Sequence, residues 1–138
     1  MADIILKGRE IPLLYTTYEM KQIQEELGPI SQAIPMILGR NPEDENDMSR
    51  FGGAEQIGAV AAMIRILGNA GLEEAGEAPN LTDKYVMRAI KPATLSEMIN
   101  AGMAAMNEGM KSEIPQEKQS GPVDVTLEEM KKKETKDD

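Results

Sequence analysis

The longest apolar run of this chain, residues 54–72 (AEQIGAVAAMIRILGNAGL), constrains its fold more than any other stretch. Apolar residues recur in it at helical spacing, which predicts one face of an α-helix: Ile57, Val60, Ile64 and Leu67. The opposite side of that helix is also apolar, and such a helix must be covered on most sides. Because Arg65, Gly68 and Asn69 interrupt the run, it is too short for a membrane span, which needs roughly 20 apolar residues. The run therefore predicts the buried central helix of a small helical domain.

Two further predictions concern this central helix. Ile57 and Ile64 are expected to be core residues, since apolar stripes usually face a core. A group of small residues is expected to let another backbone approach the helix closely: Gly58, Ala59, Ala61 and Ala62. The element that covers the helix is expected to come from the same chain, from another copy, or from a partner.

The composition excludes most catalytic chemistry. The 138 residues include no Cys and no His, which removes thiol nucleophiles, His acid–base catalysis and nearly every zinc site. The acidic residues Glu73, Glu74 and Glu77 are one conceivable Mg²⁺ cluster, but acidic surface loops are common and this enzyme alternative is disfavoured. The sequence thus predicts a binding protein that is not an enzyme and needs no cofactor.

The charge and the N-terminal residues restrict the partners. A net charge of −9 repels nucleic-acid phosphates and anionic membranes, so we expect neither nucleic acid nor membrane as a partner. No basic segment followed by a long apolar run begins the chain, and no transmembrane segment is expected. The protein is therefore expected to act in the cytoplasm.

Residues 3–15 have the pattern of a β-hairpin. Apolar residues flank a turn around Gly8 on both sides, and they include Ile4, Leu6, Leu13 and Leu14. With Gly8 at the first central position the turn would be type II′, and Lys7 would face Glu10 as an opposite-charge pair. Two strands alone are marginal in stability. We therefore expect the hairpin to pack on the first helix and to leave one edge available for a neighbouring copy.

Capping signals predict where the first helices begin and end. Thr16 with Glu19 three residues later forms a capping box, and Gly28 ends the helix that follows. Residues 30–38 continue at helical spacing, with Pro35 expected to kink or restart the helix.

The polar loop 39–53 that follows invites comparison with a calcium loop. The comparison fails because Met48 and Ser49 stand where an oxygen ligand and a glycine are required, so a solvated loop is predicted.

The last two predicted helices follow residue 80. Thr82 begins a short helix that ends at Pro92, and Thr94 begins the next one with Glu97 as a second capping box. That helix is expected to end at about Met110. Beyond it, linker-like composition predicts a flexible charged tail over residues 111–138, or a segment that orders on binding, with disorder in the free protein from about residue 113. The fold class is therefore α+β and predominantly α, with an N-terminal hairpin on a bundle of four to five helices in a domain of residues 1–110.

A methionine-rich stripe on the last helix is the candidate partner-binding surface. Its residues share one sector of the helix: Met98, Ile99, Met103, Met106 and Met110. Methionine is over-used on surfaces that adapt to a partner, so the stripe is a candidate surface for holding a client protein, and Met106 and Met110 are expected to contact the client or a second copy. The alternative is that the stripe is core. Both hold if part of the stripe is buried and its C-terminal end is exposed.

Three stretches carry a resemblance to a known family. They are the hairpin and helix IILKGREIPLLYTTYEMKQIQEELG, the end of the central helix NAGLEEAGE, and LTDKYVMRAIKPATLSEMINAGMAAMNEGM. Together they cover about residues 3–110 and resemble the tail assembly chaperones of long-tailed (siphovirus-type) bacteriophages, of the kind found in prophages of Gram-positive bacteria. Their motifs are structural and include no diagnostic binding residue.

The resemblance implies a virion-assembly protein made late in infection, in the cytoplasm of the host bacterium. Such a protein coats the tape measure protein, helps tail tube protein subunits polymerise around it, and leaves before the virion matures. Members of the family self-associate, and many have a longer form made by ribosomal frameshifting, for which the codons of residues 131–133 (KKK) are a candidate site here. The alternative is a structural phage adaptor or head–tail connector component that stays in the virion.

Overall fold

In the computed structural model, which describes residues 2–44 and 46–111, a two-stranded antiparallel hairpin packs on five helices. The elements in chain order are β1 (Asp3–Leu6), β2 (Arg9–Pro12), α1 (Thr17–Leu27), α2 (Ile30–Leu38), α3 (Ala54–Glu74), α4 (Asp83–Ala89) and α5 (Leu95–Gly109). A single 3₁₀ turn, Pro92–Thr94, precedes α5. The predicted fold class is confirmed. The predicted flexible tail, its disorder and the candidate frameshift site lie outside the described residues, apart from Lys111.

Helix α3 is the centre of the fold, as the apolar run predicted. It packs against β2 and against all four other α-helices, and most of its 21 residues are buried. Ile64 is fully buried, which confirms its place in the core. Ile57 is 37 % exposed, so the prediction that it belongs to the core is wrong. The other elements cover α3 mainly beyond its first turn, and Ile57 lies within that first turn.

The close approach of a second backbone to α3 occurs at a different place from the one predicted. A Cβ atom added to Gly58 would meet nothing within 4 Å. A Cβ added to Gly71 would lie 1.9 Å from the backbone oxygen of Pro12, so β2 crosses α3 here. Nearby, the amide of Leu14 donates to the carbonyl of Leu67 at 3.1 Å. The hairpin is thus docked on the C-terminal half of α3 by backbone contact.

The hairpin turn differs from the predicted type. Leu6 pairs with Arg9, so Lys7 and Gly8 are the two central residues, with φ of 51° and 78°. Positive φ at both positions is the type I′ geometry, whose twist matches that of the strands, and the type II′ prediction is wrong. Glu10 pairs with Ile5 and not with Lys7.

The side chain of Lys7 is used elsewhere in the fold. Its Nζ lies over the ring of Tyr85, 4.9 Å from the ring centroid, in a cation–π contact with α4.

The hairpin packs mainly against α3 and α5, so the predicted packing on α1 is wrong. Its inward-facing side chains are fully or almost fully buried: Ile4, Leu6, Ile11 and Leu13. Pro12 pairs with Asp3 in a position where the backbone amide would point away from the neighbouring strand. Its missing N–H therefore removes no hydrogen bond from the ladder.

The predicted helix caps are present in two of three cases. Glu19 accepts from the Thr16 amide at 2.9 Å, which completes the capping box of α1. The Thr82 hydroxyl accepts from the amide of Tyr85 at 3.1 Å. The capping box of Thr94 is absent, because its hydroxyl bonds to the backbone of Lys91 and closes the 3₁₀ turn instead.

Gly28 ends α1 with a positive φ, as predicted. Helix α2 is one continuous helix across Pro35, so no restart occurs there. Within the described residues, no helix is both long enough and apolar enough to cross a bilayer.

Candidate functional site

The methionine stripe of α5 is divided between core and surface. Met98, Ile99 and Met106 are buried, Met103 is half-buried, and Met110 is 67 % exposed. This is the arrangement in which the two interpretations of the stripe are compatible. Because Met106 is buried, it has no surface to offer a partner in this conformation. Partner binding by the stripe stays a prediction, and its accessible members are Met103 and Met110.

The reason for this burial is the packing of α5 against α3. A Cβ atom added to Gly102 would lie 2.2 Å from the Cε atom of Met63, so glycine is what allows the two helices to approach. The stripe is therefore mostly part of the core, is partly accessible at Met103, and is largely exposed only at Met110, just after the last turn of the helix.

A second apolar surface is exposed on the other end of the domain. It is a groove of ≈ 390 Å³ between the start of α3, the end of α4 and the start of α5, and we call it the α3–α4–α5 groove. Its apolar lining comes from separate elements: Phe51, Ile57, Val60, Ala61, Met87, Ile90, Pro92 and Leu95. Phe51, Met87 and Ile57 are 43 %, 41 % and 37 % exposed. Large apolar side chains that are grouped and exposed typically mark a site of interaction.

Buried Gln56 fixes the wall of the groove that Phe51 supplies. Its side-chain oxygen accepts from the amide of Gly52 at 2.6 Å, and its Nε2 donates to the carbonyl of Ile37 at 3.0 Å. Gln56 is 1 % exposed, so these bonds are made away from water, where they are costly to lose. The segment that carries Phe51 is thereby tied to both α2 and α3.

The opposite wall of the groove carries positive charge. Among the described residues, Lys91 is the only charged one that lines the groove, and Lys84 lies one helical turn before Met87 on the same side of α4. Arg88 follows Met87 directly, and all three cations are exposed. Within residues 2–44 and 46–111, none of the three forms an ion pair. A chain of net charge −9 thus presents a basic rim beside an apolar groove.

Arg65, the charge inside the central helix, has a structural role. Its Nε donates to Asp83 at 2.5 Å and its Nη2 donates to Glu26, which links α3 to α4 and α1. Burial lowers the pKa of Arg65, but these hydrogen bonds more than offset that effect, so the pKa lies above its ordinary value. Arg65 positions α4, and α4 supplies one wall of the groove.

Two carboxylates of loop 39–53, those of Asp44 and Asp47, accept hydrogen bonds from amides of the loop itself. Asp44 accepts from the amide of Asn46 at 3.1 Å, and Asp47 accepts from the amide of Ser49 at 2.9 Å. The bond from the Ser49 amide lowers the pKa of Asp47. Within the described part of the chain, no three Asp or Glu side chains meet in a geometry that could hold a metal ion. These carboxylates shape the turns that lead to Phe51.

Sequence reasoning missed the α3–α4–α5 groove. Its residues are isolated in sequence, and periodicity assigned Ile57 to the core. One signal was present: the single Phe of the chain, Phe51, stands at the end of a polar loop, where an apolar aromatic ring has no evident local partner.

No protein-family model, no curated protein and no solved structure matches this chain. The resemblance to tail assembly chaperones therefore rests on the sequence stretches that carry it. The α3–α4–α5 groove and its basic rim are the structural features that bear on function.

Proposed function

We propose that this protein is a non-catalytic phage tail assembly chaperone that binds an apolar segment of a client in the α3–α4–α5 groove. The clients are the tape measure protein and the tail tube protein, which the sequence resemblance implies. The observation that carries the proposal is the cluster of three large, exposed apolar side chains, Phe51, Ile57 and Met87, in one groove.

The size of the groove suits reversible binding. A client that covers the exposed two-fifths of Phe51, Ile57 and Met87 gains roughly 2–4 kcal/mol from these side chains, and the burial of its own apolar side chains adds to that gain. The loss of translational and rotational freedom on association offsets a large share of that gain. A chaperone that must leave before the virion matures needs this weak, reversible contact.

The shape and charge of the groove favour one class of client segment. Helices flank it on two sides, and an amphipathic helix binds such a site through apolar residues spaced i, i+3 or i+4, and i+7. Lys84 and Lys91 lie beside the apolar wall. They favour a segment whose polar face carries Asp or Glu, since opposite charges steer the encounter and fix the orientation.

The proposal includes self-association through β1. Ile4 and Leu6 form the hydrogen-bonded pairs with β2, so the amides and carbonyls of Asp3 and Ile5 point away from the hairpin. Ile5 is also exposed. An open strand edge of this kind pairs with another strand. Sedimentation of the full chain at rising concentration tests this part, and a strict monomer at high concentration would refute it.

The client-binding experiment uses full-length chain as bait for the tape measure and tail tube proteins of the same phage. Met87→Asp and Ile57→Asp are expected to weaken capture about tenfold or more, since each removes roughly 1 kcal/mol of apolar burial and also places a carboxylate where the client would strip its hydration. Met48→Asp is the matched control, because Met48 is 50 % exposed but does not line the groove. Met110→Asp tests the methionine stripe in the same assay.

Three outcomes of that assay are informative. Loss of capture with the two groove variants alone supports the proposal. Loss with Met110→Asp alone moves the site to the end of α5. Equal capture by all four variants refutes both sites.

Purified virions separate the chaperone from the alternative of a structural adaptor or head–tail connector component. A chaperone is absent from them, whereas a connector component is present in fixed copy number. Quantitative mass spectrometry of virions and of the infected host cytoplasm measures this directly.

A further inference from the structure

We propose that the C-terminal segment of this same chain, residues 123–130, occupies the α3–α4–α5 groove when no client is bound. The segment reads VDVTLEEM. Three observations point to it: its apolar pattern, its charge, and its reach from the end of α5. None of them depends on the identity of the client.

The pattern of the segment repeats one that starts a helix elsewhere in this chain. At the start of α1, the apolar residue Tyr15 precedes Thr16, and Glu19 and Met20 follow three and four residues after Thr16. The capping box forms there between Thr16 and Glu19. Residues 125–130 give the same order, with Val125, Thr126, Glu129 and Met130. A capping box with an apolar residue on either side is a signature of a helix N-terminus.

In the groove this signature predicts an amphipathic helix, in place of the disorder that the composition of residues 111–138 as a whole predicts. Leu127 and Met130 are three residues apart and share one face, and Val123 and Val125 precede them. These are four of the five large apolar residues after Lys111. The segment therefore presents the i, i+3 pair of apolar anchors that a groove between helices accepts.

The charges of the two surfaces are complementary. The segment contains Asp124, Glu128 and Glu129 and no basic residue. Lys91 lines the groove, and Lys84 and Arg88 lie on α4 close to Met87, which also lines it; none of the three forms an ion pair within the described residues. Opposite charges around an apolar contact fix its register and orientation.

The segment can reach the groove within one molecule. Leu95 lines the groove, and the 15 residues of α5 carry the chain about 22 Å from there to Gly109. The twelve residues 112–123 span up to about 40 Å when extended, so the chain can return along α5 with length to spare. Because the contact is intramolecular, its effective concentration is of the order of millimolar. A client must therefore displace the segment in order to bind.

The first test is disulfide trapping in the full chain, which contains no Cys of its own. Met87→Cys combined with Leu127→Cys is expected to form an intramolecular disulfide about tenfold faster than Met48→Cys combined with Leu127→Cys. Adding Glu128→Lys and Glu129→Lys to both pairs is expected to make their rates of disulfide formation equal. Equal rates for the two pairs without these additions would overturn the proposal. Disulfide-linked dimers in place of monomers would also overturn it, in favour of exchange between two copies.

A second test needs no engineered Cys. Because the chain has a single Phe, incorporation of fluorophenylalanine gives one ¹⁹F NMR resonance, which reports on Phe51 in the groove. Leu127→Asp in the full chain is expected to shift that resonance, whereas Ile114→Asp leaves it in place. An unchanged resonance in Leu127→Asp would refute occupancy. No client is present in either test, so a negative result leaves the proposed client binding standing.

Discussion

Two glycines of α3, Gly58 and Gly71, are expected to respond to the same substitution with opposite signs. A Cβ atom at Gly58 would meet nothing within 4 Å, whereas a Cβ at Gly71 would lie 1.9 Å from the backbone oxygen of Pro12. Both residues are helical, so the intrinsic benefit of alanine applies to each. The difference between the two changes in the free energy of unfolding therefore isolates the effect of the contact between α3 and β2.

The magnitudes follow from the geometry. Gly58→Ala is expected to stabilise the fold by about 0.5–1 kcal/mol, which is the helix-propensity gain. In Gly71→Ala the oxygen of Pro12 must retreat by at least 1.1 Å to reach the shortest contact that real Cβ atoms make. Overpacking of this kind costs about 1–3 kcal/mol. The movement also strains the hydrogen bond from the Leu14 amide to the Leu67 carbonyl, which contributes about 1 kcal/mol. The free energy of unfolding is therefore expected to fall by about 1–3 kcal/mol in Gly71→Ala.

Urea denaturation of the full chain, followed by far-UV circular dichroism, measures both changes. Gly68→Ala provides a graded control, because a Cβ there would lie 2.6 Å from Cδ1 of Leu81, the end of a side chain that can rotate away. Its stability is expected between those of the other two variants. If Gly71→Ala is as stable as the parent chain, or Gly58→Ala is clearly less stable, the described docking of β2 on α3 is refuted.

Three further predictions concern stability. Ile64→Ala is expected to cost about 2–5 kcal/mol in urea denaturation, because Ile64 is fully buried, and a silent substitution would contradict its place in the core. Gln56→Ala is expected to cost about 1–3 kcal/mol, because it leaves a backbone amide and a carbonyl without partners, and thermal melting tests this. Glu10 shares a hydrogen bond with Asp3 and is repelled by its charge, which raises the pKa of Glu10. The folded state therefore holds the Glu10 proton more tightly, and its stability falls as the pH rises from 4.5 through the raised pKa. Glu10→Gln should flatten this part of the melting temperature–pH curve, and an unchanged curve would contradict the contact.

Local signals in the sequence were sufficient for most element boundaries. Thr16 with Glu19, and Thr82, start helices because a capping side chain bonds to amides two or three residues away. At Thr94 the helix begins where predicted, with Leu95 as its first residue, but the predicted capping box with Glu97 is absent because the turn from Lys91 takes up the hydroxyl. A capping motif can therefore locate the start of a helix even where a competing turn replaces its hydrogen bonds.

The position of the hairpin was beyond such signals. Its docking on α3 depends on the meeting of Gly71 with the backbone of Pro12, two residues that are 59 positions apart in the sequence. Nothing in a single sequence indicates that these two residues are in contact. The turn type could be predicted only from the register in which the two strands pair. The predicted register was shifted by one residue from the observed one, so it placed Lys7 in the strand and not in the turn.

The contrast between the stripe on α5 and the α3–α4–α5 groove has the same origin. The stripe lies on one helix and follows a regular spacing, so it is easy to recognise in the sequence. Because it forms one continuous face, α3 can pack along it, as it does at Met98 and Met106. The groove draws Phe51, Ile57 and Met87 from a loop and two different helices, so no periodicity marks it. Periodicity identifies a face that something must cover, but it does not say how far along the helix the cover extends. In α3 the cover ends before the first turn, and the apolar residue left there is available to bind a client or the chain's own C-terminal segment.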